Sequence, residues 1–131
     1  VISRFITALL DGATPVIYGD GEQSRDFTYI DNVVFANMNA GSAKEASGKV
    51  INVANGQRIT LNQLLEELKD LTGRQDVTAE NREPRVGDVR HSLADNTMAR
   101  ELLGYESKVD LREGLQRTID WFKSNADKRG L

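Results

Sequence analysis

Two stretches of the chain join glycine to arginine and a carboxylate: Gly19 to Asp26, which carries Arg25, and Arg82 to His91, which carries Arg85 and Asp88. A guanidinium is a planar fork of donors that matches two phosphate oxygens at once and keeps its charge near neutral pH. Glycine turns can offer backbone amides to the same anion, and a carboxylate accepts from hydroxyl groups. Both stretches therefore suit a ligand that is phosphorylated and hydroxylated. Each also has a plainer reading. Arg25 can pair with the adjacent Asp26, an exposed ion pair contributing ~0–1 kcal/mol. Asp88 can cap backbone amides in a turn that begins at Arg85. The single His91 has no nucleophile or orienting group beside it in sequence and reads as a loop histidine. Gly19-Asp20-Gly21 lacks the glycine spacing of a dinucleotide fingerprint.

The elements that must position these residues follow from periodicity and breakers. Ile2, Phe5, Ile6 and Leu9 recur at helical spacing, and Gly12 to Pro15 ends that helix. Val16-Ile17-Tyr18 predicts a short strand entering the glycine turn. Arg25 to Ile30 predicts a second strand, with Asp31 capping a helix to about Gly41. Lys49 to Ala54 predicts a buried strand bounded by Gly48 and Asn55-Gly56. Thr60 and Gln63 form a capping box before a helix carrying Leu64, Leu65, Leu68 and Leu71, which Gly73 stops. From Arg74 to Ser92 the sequence turns polar and irregular, a loop length that is uncommon without a function. Asp95 caps a short helix ending at Gly104. Asp110 to Glu113 opens the last helix, with Leu115, Ile119 and Phe122, and Trp121 beside them, as core.

The 131 residues amount to one domain of material. A net charge of -3 with no Lys or Arg cluster excludes a nucleic-acid footprint, so no nucleic acid is expected as partner. No apolar run approaches the roughly 20 residues a bilayer demands, so no membrane partner is expected. Absence of cysteine leaves neither a disulfide framework nor a thiolate metal site, and fits a reducing cytoplasm. The chain opens at Val1 inside a helix and reads as the C-terminal half of a longer protein.

Several segments, in order, resemble the C-terminal half of an extended short-chain dehydrogenase/reductase acting on a nucleotide sugar, the NAD-dependent epimerase/dehydratase family. They are Val16 to Gly21, Arg25-Asp26-Phe27, Ile51 to Gly56, Arg85 to Ser92, and Asp95 to Gly104 with the following Tyr105. The resemblance implies an α/β fold in which residues 1–30 and 57–131 form the substrate lobe and residues 31–56 supply a helix and strand to a Rossmann sheet. It implies that Arg25 and Arg85 clamp the diphosphate and Asp88 accepts from ribose hydroxyls. Val16 and Tyr18 would lie along the base, and Val1 would flank the nucleotide. Val86 stands where the family loop usually has proline, and Asn32 replaces a frequent second aspartate. The Tyr29-Ile30-Asp31-Asn32-Val33 pattern looks most like UDP-hexose and UDP-N-acetylhexosamine 4-epimerases. Dehydratases, a UDP-glucuronate decarboxylase and reductases share most of this half, and a non-catalytic nucleotide-sugar-binding module remains a further alternative. The resemblance implies a homodimer using NAD held by a preceding half, where the catalytic residues would also lie. Tyr18, Tyr29 and Tyr105 are therefore not expected to be catalysts.

Overall fold

A computed structural model describes residues 1–125. Its elements are α1 (Ile2–Asp11), β1 (Val16–Tyr18), β2 (Ser24–Asp26), α2 (Ile30–Ser42), a 3-10 turn (Lys44–Ala46), β3 (Arg58–Thr60), α3 (Leu61–Thr72), β4 (Glu80–Arg82), α4 (Thr97–Leu103) and α5 (Leu111–Ser124). β1 pairs in parallel with β4, Val16 opposite Glu80 and Tyr18 opposite Arg82, and β2 pairs with β3. The α/β class expected from the sequence is the one observed. The chain forms two compact units, and it passes from one to the other inside β2, inside β3, after His91 and within α5.

The first unit comprises Val1–Ser24, Ile59–His91 and the chain from Leu115 onward. Its core is the apolar faces of α1 and α3: Phe5, Ile6 and Leu9 with Leu64, Leu65 and Leu68, joined by Ile17, Leu115 and Ile119. Their i, i+3, i+4 spacing is what buries one stripe of each helix and leaves the other wet. The α3 capping box is complete: Gln63 N–H donates to Thr60 Oγ1 at 3.1 Å and Thr60 N–H to Gln63 Oε1 at 2.9 Å. At the far end of α1, Gly12 takes φ 73° and Arg74 donates to the Leu9 carbonyl at 2.8 Å, satisfying a group the helix cannot pair itself.

The second unit comprises Arg25–Arg58 and Ser92–Gly114. Ala36, Ala99, Leu103 and Tyr105 form its buried centre, with Phe35, Ile51, Val53 and Leu102 packed around them. Asn32, 1% exposed, joins α2 to the 107–109 segment. Its Oδ1 accepts from Lys108 and Val109 N–H, both at 3.0 Å, and its Nδ2 donates to Ser107 Oγ at 2.9 Å and the Val109 carbonyl at 2.8 Å.

Five expectations require correction. The strand expected over Arg25 to Ile30 spans Ser24–Asp26, and α2 starts at Ile30 with Tyr29 as N-cap, so Asp31 sits in the first turn. Both oxygens of Asp26 are taken by backbone amides, Oδ1 by Asn55 at 3.0 Å and Oδ2 by Gly56 at 2.9 Å, fixing the chain where the strand ends. Lys49 to Ala54 forms no ladder among the described residues. Instead, the Asn96 carboxamide does what a neighbouring strand would do, accepting from Ala54 N–H at 3.0 Å and donating to its carbonyl at 2.8 Å, where the Tyr105 hydroxyl also donates. The N-cap of α4 is Asn96, although the neighbouring Asp95 accepts from Thr97 N–H at 2.8 Å. Trp121 is 55% exposed rather than core: its ring stands edge-on to Phe122, on the outer side of the helix that buries Leu115 and Ile119.

Candidate functional site

The glycine turn after β1 is built as a scaffold. Gly19 and Gly21 adopt φ 86° and 78°, a region that a side chain strains. The turn satisfies the first amides of α3: Leu61 N–H donates to the Gln23 carbonyl and Asn62 N–H to the Gly21 carbonyl, both at 3.1 Å. Asn62 Nδ2 then donates to the Asp20 carbonyl at 3.0 Å and to Glu22 Oε1 at 2.7 Å. A Cβ at Gly21 would collide with the Asn62 carboxamide. The concave side of the turn is thus already filled, and the helix terminus behind it is already paired. These residues do not fit the diphosphate of a dinucleotide such as NAD.

A cavity of about 1100 Å³ opens beside this turn, at the carboxyl end of β1. Tyr18, Gln23, Arg82, Arg85, Asp88 and Arg90 are among its lining residues. The three arginines differ in their partners. Arg82 forks onto Glu80 through Nε at 2.8 Å and Nη2 at 3.1 Å. Arg90 forks onto Asp20 at 3.1 and 2.8 Å. The Arg85 guanidinium lies over the Tyr18 ring, 4.0 Å from its centroid, with no carboxylate ion pair among the described residues. This leaves Arg85 the cation in the cavity whose charge the fold has not neutralised, parked on an aromatic face.

The electrostatics follow from these contacts. Hydrogen bonding from Arg85, then its charge, holds the Tyr18 hydroxyl below the usual tyrosine value, and Arg82 adds in the same direction. Arg90, and then the Glu22 N–H, hold the Asp20 carboxyl below the ordinary carboxylate range. The loop that carries Arg85 is a turn: Asp88 N–H donates to the Arg85 carbonyl at 3.3 Å, Gly87 takes φ 81°, and Val86 is fully exposed. The turn expected at Arg85 is therefore present, closed by the Asp88 backbone amide, and it coexists with the place of Arg85 and Asp88 in the cavity.

Of the expected site residues, Tyr18, Arg85 and Asp88 share this cavity. Val16 lies two residues earlier on β1, half-buried. Val1 is the N-cap of α1, in the same unit. Arg25 is the central residue of β2, half-buried, in the second unit, and is not among the residues lining this cavity. The irregular stretch from Arg74 to Ser92 contains β4, which the sequence reading did not find because all three residues are exposed and polar. His91 has a partner after all: its Nδ1 lies 2.8 Å from Ser24 Oγ, brought there by a parallel bridge between residues 67 apart. Gln23 was missed. It is 6% exposed, donates to the Tyr18 carbonyl at 2.6 Å, and lies in the cavity wall. A glutamine in a polar turn carries no sequence signal of burial.

The molecule is therefore an α/β chain with an open cavity, lined by arginines and carboxylates among others, at the end of a parallel strand pair, its glycine turn occupied by its own helix. It belongs to the extended short-chain dehydrogenases/reductases, in the family described as GDP-mannose 4,6 dehydratase, whose model matches residues 1–118. It is 37% identical over 126 residues to UDP-glucose 4-epimerase of Mycolicibacterium smegmatis, covering 96% of this chain and 40% of that protein. It is similar to the crystal structure of UDP-glucose 4-epimerase from Thermotoga maritima with UDP-glucose, with 41% identity, a TM-score of 0.90, and 95% of this chain covering 40% of that one. It also resembles UDP-N-acetylglucosamine 4-epimerase from Methanobrevibacter ruminantium in complex with UDP-N-acetylmuramic acid, at 40% identity and TM-score 0.87, over 95% of this chain and 39% of that one. Other relatives include a dTDP-glucose 4,6-dehydratase and a UDP-N-acetyl-α-D-glucosaminuronate decarboxylase, and a related UDP-glucuronic acid 4-epimerase was solved with NAD. The chain thus spans about 40% of the length of the relatives it matches.

Proposed function

We propose that this chain is the C-terminal, nucleotide-sugar-binding part of an NAD-dependent UDP-sugar 4-epimerase. The observation that carries the reading is the meeting of Arg85, Tyr18 and Asp88 in one cavity, with Arg85 held against an aromatic ring and not against a carboxylate. A diphosphate can draw Arg85 into a bidentate contact without breaking an ion pair, and Asp88 can accept from sugar hydroxyls. Val16 and Tyr18 flank the base, Val1 borders the nucleotide, and Arg25 takes the second phosphate-gripping role that the resemblance gives it. NAD and the catalytic residues belong outside these residues, in keeping with the filled glycine turn. A cytoplasmic homodimer is the corresponding whole. Among the described residues no helix is long and apolar enough to cross a membrane.

Calorimetry with UDP on the full-length protein tests this. Arg85→Ala and Arg25→Ala should each weaken binding by about 1–3 kcal/mol, as expected for a charge-assisted contact. Unchanged affinity in both variants sinks the diphosphate assignment. A second reading, dehydratase or decarboxylase, is favoured by the family's description and by relatives of both kinds. Incubation with UDP-glucose, UDP-N-acetylglucosamine, UDP-glucuronate and dTDP-glucose separates the reactions by product.

A further inference from the structure

The loop that carries Arg85 is fixed at both ends and loose between them. At its start, β4 pairs with β1, and the Arg82 carbonyl accepts from Gly19 N–H at 2.8 Å. At its end, the Arg90 guanidinium forks onto Asp20, the Arg90 carbonyl accepts from Ser24 N–H at 2.9 Å, and His91 Nδ1 lies 2.8 Å from Ser24 Oγ. Every residue from 83 to 89, between these anchors, is exposed. The bond from Asp88 N–H to the Arg85 carbonyl that closes the turn is long, at 3.3 Å. A segment with exposed hydrogen bonds and little buried apolar surface opens before the rest of a fold does.

The signs of the backbone angles identify the turn. Gly87 takes φ 81°, and among the described residues only glycines have positive φ, so φ is negative at Val86. Negative then positive φ at the two central positions is the pattern of a type II turn, with Val86 at the position that favours proline. Valine there leaves φ unset, so more backbone freedom is lost when the turn becomes fixed.

We infer that residues 83–89 form a strap that becomes fixed over the cavity only when a ligand anion draws Arg85 from the Tyr18 ring, and that Val86 sets the affinity through the freedom lost in that step. This rests on the nucleotide-sugar reading above and adds a motion to it. Glu83, Pro84, Arg85 and Asp88 of the strap already line the cavity. The resting contact is an exposed cation over a ring, 4.0 Å from its centroid, and a diphosphate offers the same guanidinium two charge-assisted bonds. Ordering a loop on binding lowers affinity, and a strap fixed beforehand holds the same ligand more tightly.

Val86→Pro locates the step, because its benefit shows wherever the turn becomes fixed. The side chain it replaces is wholly exposed, and among the described residues the Val86 N–H makes no hydrogen bond. Calorimetry on the full-length protein should show Val86→Pro binding UDP about two- to fivefold more tightly than the unaltered protein, with an unchanged urea midpoint. Val86→Gly, which adds freedom, should bind UDP more weakly than the unaltered protein. The Asp88 amide should exchange freely in the unliganded protein and be protected with UDP. An affinity for UDP that Val86→Pro leaves unaltered or lowers overturns the inference; joined to a raised urea midpoint, that result means the turn is fixed before binding. An Asp88 amide equally protected with and without UDP overturns it as well, and both results leave the nucleotide-sugar reading standing. Failure of the unaltered protein to bind UDP at all refutes that reading, and the inference with it.

Discussion

Replacing Asn32 with Ala tests how the second unit is held together. The side chain makes four hydrogen bonds to the 107–109 segment, three of them to backbone groups. Lys108 is exposed, so its amide can turn to water, but Val109 is 7% exposed and both its N–H and its carbonyl would be stranded. Ser107 cannot rescue the carbonyl without cost, because its hydroxyl proton goes to Asn55 Oδ1 at 2.6 Å, closer than the 3.2 Å to Val109. At ~1–3 kcal/mol for each stranded group, Asn32→Ala should destabilise by about 2–6 kcal/mol, a large part of the ~5–15 that holds a domain folded. Asn32→Asp keeps both accepted amides but sets a buried carboxylate oxygen against the Val109 carbonyl that Nδ2 now reaches at 2.8 Å, so it too should be strongly destabilising. Urea unfolding followed by circular dichroism gives both values, and amide exchange at Val109 should accelerate in the Ala variant. A loss below ~1 kcal/mol for the Ala variant would refute the reasoning.

Other outcomes follow from the same geometry. Gly21→Ala combines a positive φ of 78° with a collision against Asn62, and should lower stability by at least ~1–3 kcal/mol in the same unfolding assay; a neutral variant would mean the turn is free to move. Thr60→Ala removes one half of the α3 capping box and should cost ~1 kcal/mol, read as a lower thermal midpoint. Ultraviolet titration should resolve Tyr18 ionising below the usual value near 10 and Tyr105, desolvated and donating to the Ala54 carbonyl, above it; Arg85→Ala should move the Tyr18 transition upward, and an unmoved transition would count against the stacked geometry. Asp20 has its folded-state value depressed, mainly by Arg90, so its contribution is present above the unfolded value of ~3.9 and fades as pH falls through the lower folded value. Asp20→Asn should accordingly be less stable than the unaltered protein at pH 7 and match it in strong acid, a convergence that unfolding at a series of pH values would detect.

The sequence alone determined the helices whose signals are local. The α1 and α3 stripes, the Thr60 and Gln63 box, and the stops at Gly12, Gly73 and Gly104 all act within a few residues, and each is found where periodicity and capping place it. It also brought out Arg85 and Asp88, because arginine and carboxylate beside glycine are legible wherever the chain later carries them, whereas Tyr18 entered only through the family resemblance. What it could not carry was pairing at a distance. Lys49 to Ala54 has the composition of a strand, yet its last residue is bonded by the side chain of Asn96, 42 residues on. Gln23 and Asn32 are polar residues whose burial depends wholly on which distant backbone reaches them. The same holds for β4, exposed and polar, which is a strand only because β1 lies beside it. Trp121 is apolar and at helical spacing, and only the packing of α5 turns it outward. Local propensity is written in neighbouring residues; the satisfaction of buried polar groups is decided when the chain closes on itself.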